Sequence, residues 1–82
     1  MINRLKIMNA ITIMVFRTNI KTKKKLKHIS SFFNNHSNIH DWSVDIEDID
    51  NVLRIEANGS ITKTGFINEL KAKGVYCETL SD

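Results

Sequence analysis

Residues 42–57 constrain the fold more than any other part of the chain, because apolar and polar side chains alternate on both sides of a turn. The apolar members are Trp42, Val44 and Ile46 before the turn, and Leu53, Ile55 and Ala57 after it. A period of two residues is typical of strands that bury one face. Turn-forming residues at 48–51 separate the two runs. The segment is therefore predicted to be a β-hairpin with one apolar face.

The register of this hairpin follows from centring the turn on residues 48–51. The predicted pairs on the apolar face are Ile46 with Leu53, Val44 with Ile55 and Trp42 with Ala57. On the opposite face, Asp45 is predicted to lie across from Arg54. A slip of one residue would turn the apolar set towards solvent, which favours this pairing.

A strand pattern and a helical pattern precede the hairpin. Residues 10–17 are rich in β-branched and aromatic side chains and predict a central strand. Residues 22–35 predict a helix, because apolar residues recur on one of its faces. These residues are Leu26, Ile29, Phe32 and Phe33.

A second helical pattern and a last strand follow the hairpin. The helix is predicted over residues 62–73, with Thr62 as its N-cap and Gly74 as its left-handed C-cap. Residues 75–80 predict the last strand. The order β-α-β-β-α-β predicts an α+β, ferredoxin-like sandwich, a four-stranded antiparallel sheet with two helices on one face.

The chain is expected to be one domain over residues 10–82, preceded by a possible disordered leader at residues 1–9. The apolar stretch at residues 7–16 is too short to span a bilayer, which needs about 20 residues, so no membrane association is expected. Met8 and Met14 leave other translation starts open. The single cysteine, Cys77, excludes an internal disulfide and favours the cytoplasm.

Charge is distributed unevenly along a chain whose net charge is +3. The first 34 residues carry eight basic side chains and no acidic one, and the rest carries four basic against nine acidic. Five of the basic side chains lie close together, namely Lys21, Lys23, Lys24, Lys25 and Lys27. They repel one another and oppose the helix dipole, so this run is predicted to be an interaction surface. A solvated helix face is the alternative interpretation.

Three stretches of the sequence resemble the heavy-metal-associated domain, the ferredoxin-like module of copper chaperones and metal-transporting ATPases. They are residues 14–19, 42–55 and 74–78. Metal-carrying members of that family bind a soft ion through Cys-x-x-Cys between the first strand and the first helix. In this chain the resemblance places the pair at Asn19 and Thr22, which offer no thiolate. It therefore implies a divergent branch with a degenerate metal motif and no expected metal or other cofactor.

The other chemistry-bearing residues of the sequence predict no catalytic or metal site. The residues His28, His36, His40 and Cys77 match no known zinc spacing. A thiol enzyme based on Cys77 would need an electropositive setting, which a strand position beside Glu78 does not offer. The acidic residues Asp41, Asp45, Glu47, Asp48 and Asp50 are expected to alternate along a strand, and they lack the glycine and the terminal glutamate of an EF-hand loop.

The sequence thus predicts a non-enzymatic binding or adaptor domain. Its expected partner is a protein or a second copy of itself, because the basic helix and the acidic hairpin are complementary. A metal-linked, chaperone-like protein with non-standard ligands is the first alternative. Nucleic-acid binding through the lysine-rich helix is the second, and it ranks lower because acidic side chains are expected on the outer sheet face.

Overall fold

The computed structural model describes residues 11–59 and 61–80. Its elements are β1 (Thr12–Thr18), α1 (Lys23–Asn35), β2 (Ile39–Val44), β3 (Leu53–Ala57), α2 (Lys63–Ala72) and β4 (Cys77–Thr79). All neighbouring strands are antiparallel, and the sheet has the order β2-β3-β1-β4. This arrangement confirms the predicted ferredoxin-like α+β fold class. The predicted leader at residues 1–9 lies outside the described residues.

The core lies between one face of the sheet and the two helices. Phe66 of α2 packs its ring 5.5 Å from that of Phe16 on β1 and 6.2 Å from that of Phe33 on α1. All three side chains are buried, and each contributes about 2–3 kcal/mol through removal from water. The remaining core residues include Met14, Ile20, Ile29, Leu53, Ile55 and Leu70.

A threonine caps the N-terminus of each helix; the cap was predicted for Thr62 but not for Thr22. The hydroxyl of Thr22 accepts a hydrogen bond from the Lys25 amide at 3.1 Å, and that of Thr62 accepts one from the Gly65 amide at 3.0 Å. These bonds satisfy amide groups that have no partner within the helix.

The C-terminus of α2 also has the predicted left-handed cap. Gly74 has φ of +84°, and the Val75 amide donates back to the Leu70 carbonyl at 2.9 Å. This is the hydrogen-bond pattern of a Schellman motif, in which glycine adopts a conformation that is strained for other residues.

The predicted hairpin register is wrong by two residues. Val44 pairs with Leu53 rather than with Ile55, and Trp42 pairs with Ile55 rather than with Ala57. Arg54 lies across from Ser43, so the predicted pairing of Asp45 with Arg54 does not occur. An even shift keeps every side chain on its face, so the apolar side still faces the helices.

The register differs because the turn is wider than residues 48–51. The connection spans residues 45–52, which we call the acidic loop, and it is closed by a bond from the Asp45 amide to the Val52 carbonyl at 2.9 Å. Asn51 is buried, has φ of 45° and donates its side-chain amide to the carbonyls of Ile46 and Asp48, each at 3.1 Å. Ile46 therefore belongs to the loop and pairs with no strand residue.

Strand β2 also begins earlier than predicted. It starts at Ile39, and a bulge between Ile39 and Asp41 leaves His40 without a partner in the ladder. The extra residue changes the phase of the strand, so Ile39 and Trp42 both pack against the core. His40 is thus a strand residue.

The first and last strands along the chain differ slightly from their predicted bounds. β1 extends one residue further than predicted, to Thr18, and β4 is shorter than residues 75–80. Its register pairs Cys77 with Thr18 at the last residue of β1. Neither helix in the described ranges is long and apolar enough to cross a membrane.

Strand directions place several connections at one end of the sheet. β1 and β2 end there, while β3 and β4 begin there. The segment leading into α1, the acidic loop and the α2–β4 connection therefore meet at this end, which we call the charged end.

Candidate interaction surface

The lysines predicted as an interaction surface lie at the start of α1, at the charged end. Ile29 and Phe33 bury the opposite side of this helix against the sheet. The side chains of Lys21, Lys23, Lys24 and Lys27 are exposed, and Lys25 is half-buried. We refer to residues 21–27 as the lysine segment.

The fold does not neutralise the lysine segment. In the described residues the ion pairs are Arg17–Asp50, Arg17–Glu78, His36–Glu69 and Arg54–Glu56, and none of them contains a lysine. Helix α1 contains no acidic side chain at all. Its N-terminal turn consequently bears positive charge where the helix dipole is also positive. The lysine segment therefore lowers the free energy of unfolding, and no ion pair among the described residues offsets this loss.

A shallow hollow is formed within this segment. It has a volume of about 290 Å³ and is lined by Thr22, Lys24, Lys25 and His28. The aliphatic stems of lysine make such walls apolar, while the ammonium groups stay in water at the rim. We call this feature the lysine hollow.

The acidic loop lies beside the lysine segment at the charged end. The Thr18 amide donates to the Asp50 carbonyl at 3.1 Å, and the Thr18 hydroxyl donates to the Asn51 carbonyl at 2.7 Å. Arg17 adds an ion pair to the Asp50 carboxylate at 3.0 Å. Since Thr18 is only three residues before Lys21, basic and acidic surfaces are neighbours in the fold.

The acidic residues are arranged differently from the prediction. Only Asp41 lies in a strand, and the other four lie in the acidic loop rather than alternating along a strand. Asp45 accepts from the Glu47 amide at 3.1 Å and Asp48 from the Asp50 amide at 2.8 Å, so two carboxylates cap the loop backbone. Ile49, which lies between Asp48 and Asp50, is 94% exposed.

The two positions of the degenerate metal motif serve the backbone. Asn19 accepts a hydrogen bond from the Tyr76 amide through its side chain at 3.1 Å, and its own amide donates to the Tyr76 carbonyl at 3.2 Å. Thr22 caps α1. Both polar side chains thus have structural partners.

The histidines and the cysteine are distributed over separate parts of the fold. His28 is exposed on α1, His36 bonds to Glu69 at 3.2 Å, and His40 bonds to the Asn58 amide group at 2.8 Å. Within the part of the chain that the structure describes, no group of three or more His, Cys, Asp and Glu side chains is placed to hold a metal ion.

Cys77 is a core residue with 6% of its surface exposed. Burial raises the pKa of its thiol from the ordinary 9.0 to about 11. A neutral buried thiol is a poor nucleophile, because the thiolate is the reactive form.

A larger groove separates α1 from the end of α2. Its volume is about 560 Å³, and Phe32, His36 and Lys73 are among its lining residues. The Lys73 ammonium lies 5.3 Å from the centre of the Phe32 ring and the His36 ring lies 5.6 Å from it, so the apolar floor is already covered in part.

The outer face of the sheet carries an apolar strip that the sequence analysis missed. Ile11 and Ile13 are 42% and 44% exposed, and Val15 is half-buried. Arg54 and Glu56 lie beside the strip and pair with each other at 2.8 Å. The strip could have been found from the alternation of Ile11, Ile13 and Val15 in the first strand, which was interpreted only as a sign of a central position.

No protein-family model and no curated protein matches the chain. The resemblance to the heavy-metal-associated domain therefore stays a prediction.

Proposed function

We propose that this protein is a non-enzymatic binding domain that holds acidic protein partners on its lysine segment. In this proposal the fold is that of a heavy-metal-associated domain whose metal pair has been replaced by Asn19 and Thr22. The surface consists of Lys21, Lys23, Lys24, Lys25 and Lys27.

The observation that carries the proposal is the unpaired state of these lysines within the described structure. Mutual repulsion and the helix dipole each disfavour them by a few tenths of a kcal/mol. An acidic partner would remove both penalties on binding and would be attracted before contact. Selection for solubility alone would be satisfied by lysines placed anywhere on the surface.

The neighbouring acidic loop favours a protein partner over a nucleic acid. A phosphate backbone is long and uniformly negative, so it would meet the carboxylates of Glu47 and Asp50 as well as the lysines. An acidic peptide segment is short and can contact the lysines alone. The outer face of the sheet adds Glu56 and Glu78, and its exposed aromatic residue, Tyr76, already donates its hydroxyl to Glu78 at 2.5 Å. That hydrogen bond raises the pKa of Tyr76.

The test compares two variants with equal net charge. Lys23, Lys24 and Lys25 are changed to Gln in one, and Lys63, Lys71 and Lys73 of α2 and its C-cap in the control. The probe is a short, fluorescein-labelled oligoglutamate peptide, and binding is followed by anisotropy at low and high salt. We expect the α1 variant to bind at least about tenfold more weakly and with less salt dependence, while the control keeps most of its affinity. Equal losses in both variants would show that only net charge matters and would overturn the proposal.

Amide chemical shifts in NMR separate this function from its alternatives. The acidic peptide should shift residues 21–28. A DNA duplex of equal charge should bind more weakly than the peptide, and tighter DNA binding would favour the nucleic-acid alternative. Stoichiometric, submicromolar binding of Cu(I) or Zn(II) that shifts His28 or Cys77 would favour the metal-linked alternative.

A further inference from the structure

The acidic loop has the chemistry that the lysine hollow would recognise, and both belong to the same chain. We propose that two copies of this protein associate, with the acidic loop of each copy seated on the lysine hollow of the other. This inference rests on the binding role proposed above for the lysine segment and names a second copy of the chain as one of its partners.

The loop presents an apolar knob with an acidic rim. Ile49 is 94% exposed, a larger fraction than that of any other large apolar residue in the described ranges. Glu47 and Asp48 precede it and Asp50 follows it. An isolated apolar side chain on a surface is common, but here it stands at the tip of a loop that holds it away from the fold.

The hollow presents the complementary features. Its volume of about 290 Å³ is sufficient for one branched aliphatic side chain, and its walls include the stems of Lys24 and Lys25. The ammonium groups at its rim are free of ion pairs within the described structure. Ile49 would thus exchange water for aliphatic walls while the flanking carboxylates meet the ammonium groups.

The position of both features at the charged end makes the contact reciprocal. A two-fold axis that passes between the acidic loop and the lysine segment places each loop on the other copy's hollow. The same contact is then made twice, and it closes the assembly at two copies. If the two features were at opposite ends of the fold, the same contact would produce open chains.

The loop is also held in one conformation before it binds. Asn51 clamps it from inside through its two side-chain hydrogen bonds, and Thr18 and Arg17 attach it to β1. Little conformational entropy therefore remains to be lost on association. The contact itself is small and charged, so we expect a weak dimer that dissociates as salt is added.

The experiment measures the oligomeric state by sedimentation equilibrium as protein concentration rises, at low and high salt. We expect the parent chain to dimerise at low salt and to dissociate at high salt. Ile49→Ser should weaken the dimer by at least about tenfold. Because Ile49 is so exposed, this change should leave the unfolding transition unaltered. The control is Ile13→Thr, which removes an exposed apolar side chain from the outer face of the sheet and should leave the dimer intact.

A charge exchange tests the pairing itself. One variant carries Lys24→Glu and Lys25→Glu, and the other carries Glu47→Lys. Each should dimerise more weakly than the parent when alone, because the first variant places carboxylates at the rim of the hollow and the second removes a carboxylate from the loop. A mixture of both should dimerise more tightly than either variant alone, because one contact is then that of the parent and the other brings the exchanged charges together. A monomeric parent chain, a dimer weakened by Ile13→Thr and not by Ile49→Ser, or a mixture that dimerises no more tightly than either variant alone would each overturn the inference.

Failure of this inference can be told from failure of the proposed function. Ile49→Ser should still bind oligoglutamate with the parent affinity, because its lysine segment is intact. A monomeric parent chain that binds oligoglutamate through residues 23–25 would overturn the dimer and leave the binding function in place. Parent and α1 Gln variant with equal oligoglutamate affinity would overturn the binding function, and the dimer that rests on it.

Discussion

The lysine segment and the acidic loop lie side by side with opposite charge, but the fold uses only one of them. Three of the acidic side chains have structural work in the loop: Asp45 and Asp48 accept hydrogen bonds from backbone amides, and Asp50 pairs with Arg17. No lysine in the segment has an ion pair among the described residues. The acidic charges stabilise the fold whether or not the loop also docks on a second copy, whereas the lysine charges oppose the fold and therefore indicate a role outside it.

The strongest test of this contrast is to weaken the loop from inside by changing Asn51. Asn51→Ala removes two hydrogen bonds from a buried amide group and leaves a residue with a side chain at φ of 45°. We expect the free energy of unfolding to fall by about 3 kcal/mol. Asn51→Gly should cost about 1 kcal/mol less, because glycine adopts positive φ without strain. Urea denaturation followed by the fluorescence of Trp42 measures both. Equal losses would show that the backbone conformation contributes nothing.

Cys77 pairs with Thr18, the residue of β1 that is hydrogen-bonded to the acidic loop. The rate at which its thiol is modified therefore reports whether the charged end stays folded. A pKa of about 11 instead of 9.0 lowers the thiolate fraction near neutral pH by about a hundredfold. Thiol reagents should therefore modify the native protein at least that much more slowly than the unfolded chain. In Asn51→Ala the difference should shrink. Rapid modification of the native parent protein would show that the thiol is not enclosed.

The same shift predicts how stability depends on pH. The unfolded thiol ionises near pH 9 and the folded thiol only near pH 11, so its contribution is complete below pH 9 and is lost as pH rises between these values. The free energy of unfolding of the parent should fall more steeply across this range than that of Cys77→Ala. Parallel slopes would contradict the assigned burial.

Thr22 lies in the lysine segment and stabilises α1 as its N-cap, but it carries no charge. Its contribution to stability can therefore be measured separately from that of the lysines. Thr22→Ala removes the acceptor of the Lys25 amide and should cost about 1 kcal/mol of unfolding free energy. Thr22→Ser keeps the hydroxyl and should lie close to the parent. Thermal unfolding of the three chains under identical conditions makes the comparison. If Ala and Ser behaved alike, the cap would not stabilise the helix.

Replacing the lysines should have the smallest effect on the free energy of unfolding, and it should raise stability where the other changes lower it. Changing Lys23, Lys24 and Lys25 to Gln removes like-charge repulsion in the first turns of α1, worth roughly 0.2–0.5 kcal/mol for each pair. We expect unchanged or slightly higher thermal stability at low salt and no difference at high salt. A clear loss of stability would show that the fold does use these charges.

Local sequence signals were sufficient to predict the order and type of the helices and strands in this fold. Thr62 and Gly74 act within a few residues along the chain, so their roles as caps were predicted without knowing any tertiary contact. Thr22 offers the same kind of local signal, but its role as a cap was not predicted. Alternation in residues 42–57 correctly assigned the buried face of the hairpin, because that assignment depends only on the period of the strand.

Features set by tertiary contacts could not be predicted in this way. The predicted hairpin register was wrong because Asn51 adopts a left-handed conformation and its side chain holds Ile46 in the loop by a hydrogen bond. Thr18 in turn attaches the loop to β1. Alternation also gave no sign of the extra residue at His40. For the candidate surface, four of the five lysines are exposed as predicted, and Lys25 is half-buried. The hollow and the exposure of Ile49 depend on where helix and loop stand after folding.

The direction of β4 has a practical consequence for how this protein is handled. The chain enters β1 at the end opposite to the charged end, and β4 runs away from the charged end as well. A tag or a fluorescent fusion attached directly before residue 11 or directly after residue 80 therefore starts at the end of the sheet away from the lysine segment and the acidic loop. Protein immobilised through such an attachment should present both surfaces to the solution, so surface-based binding measurements need no attachment point within the fold.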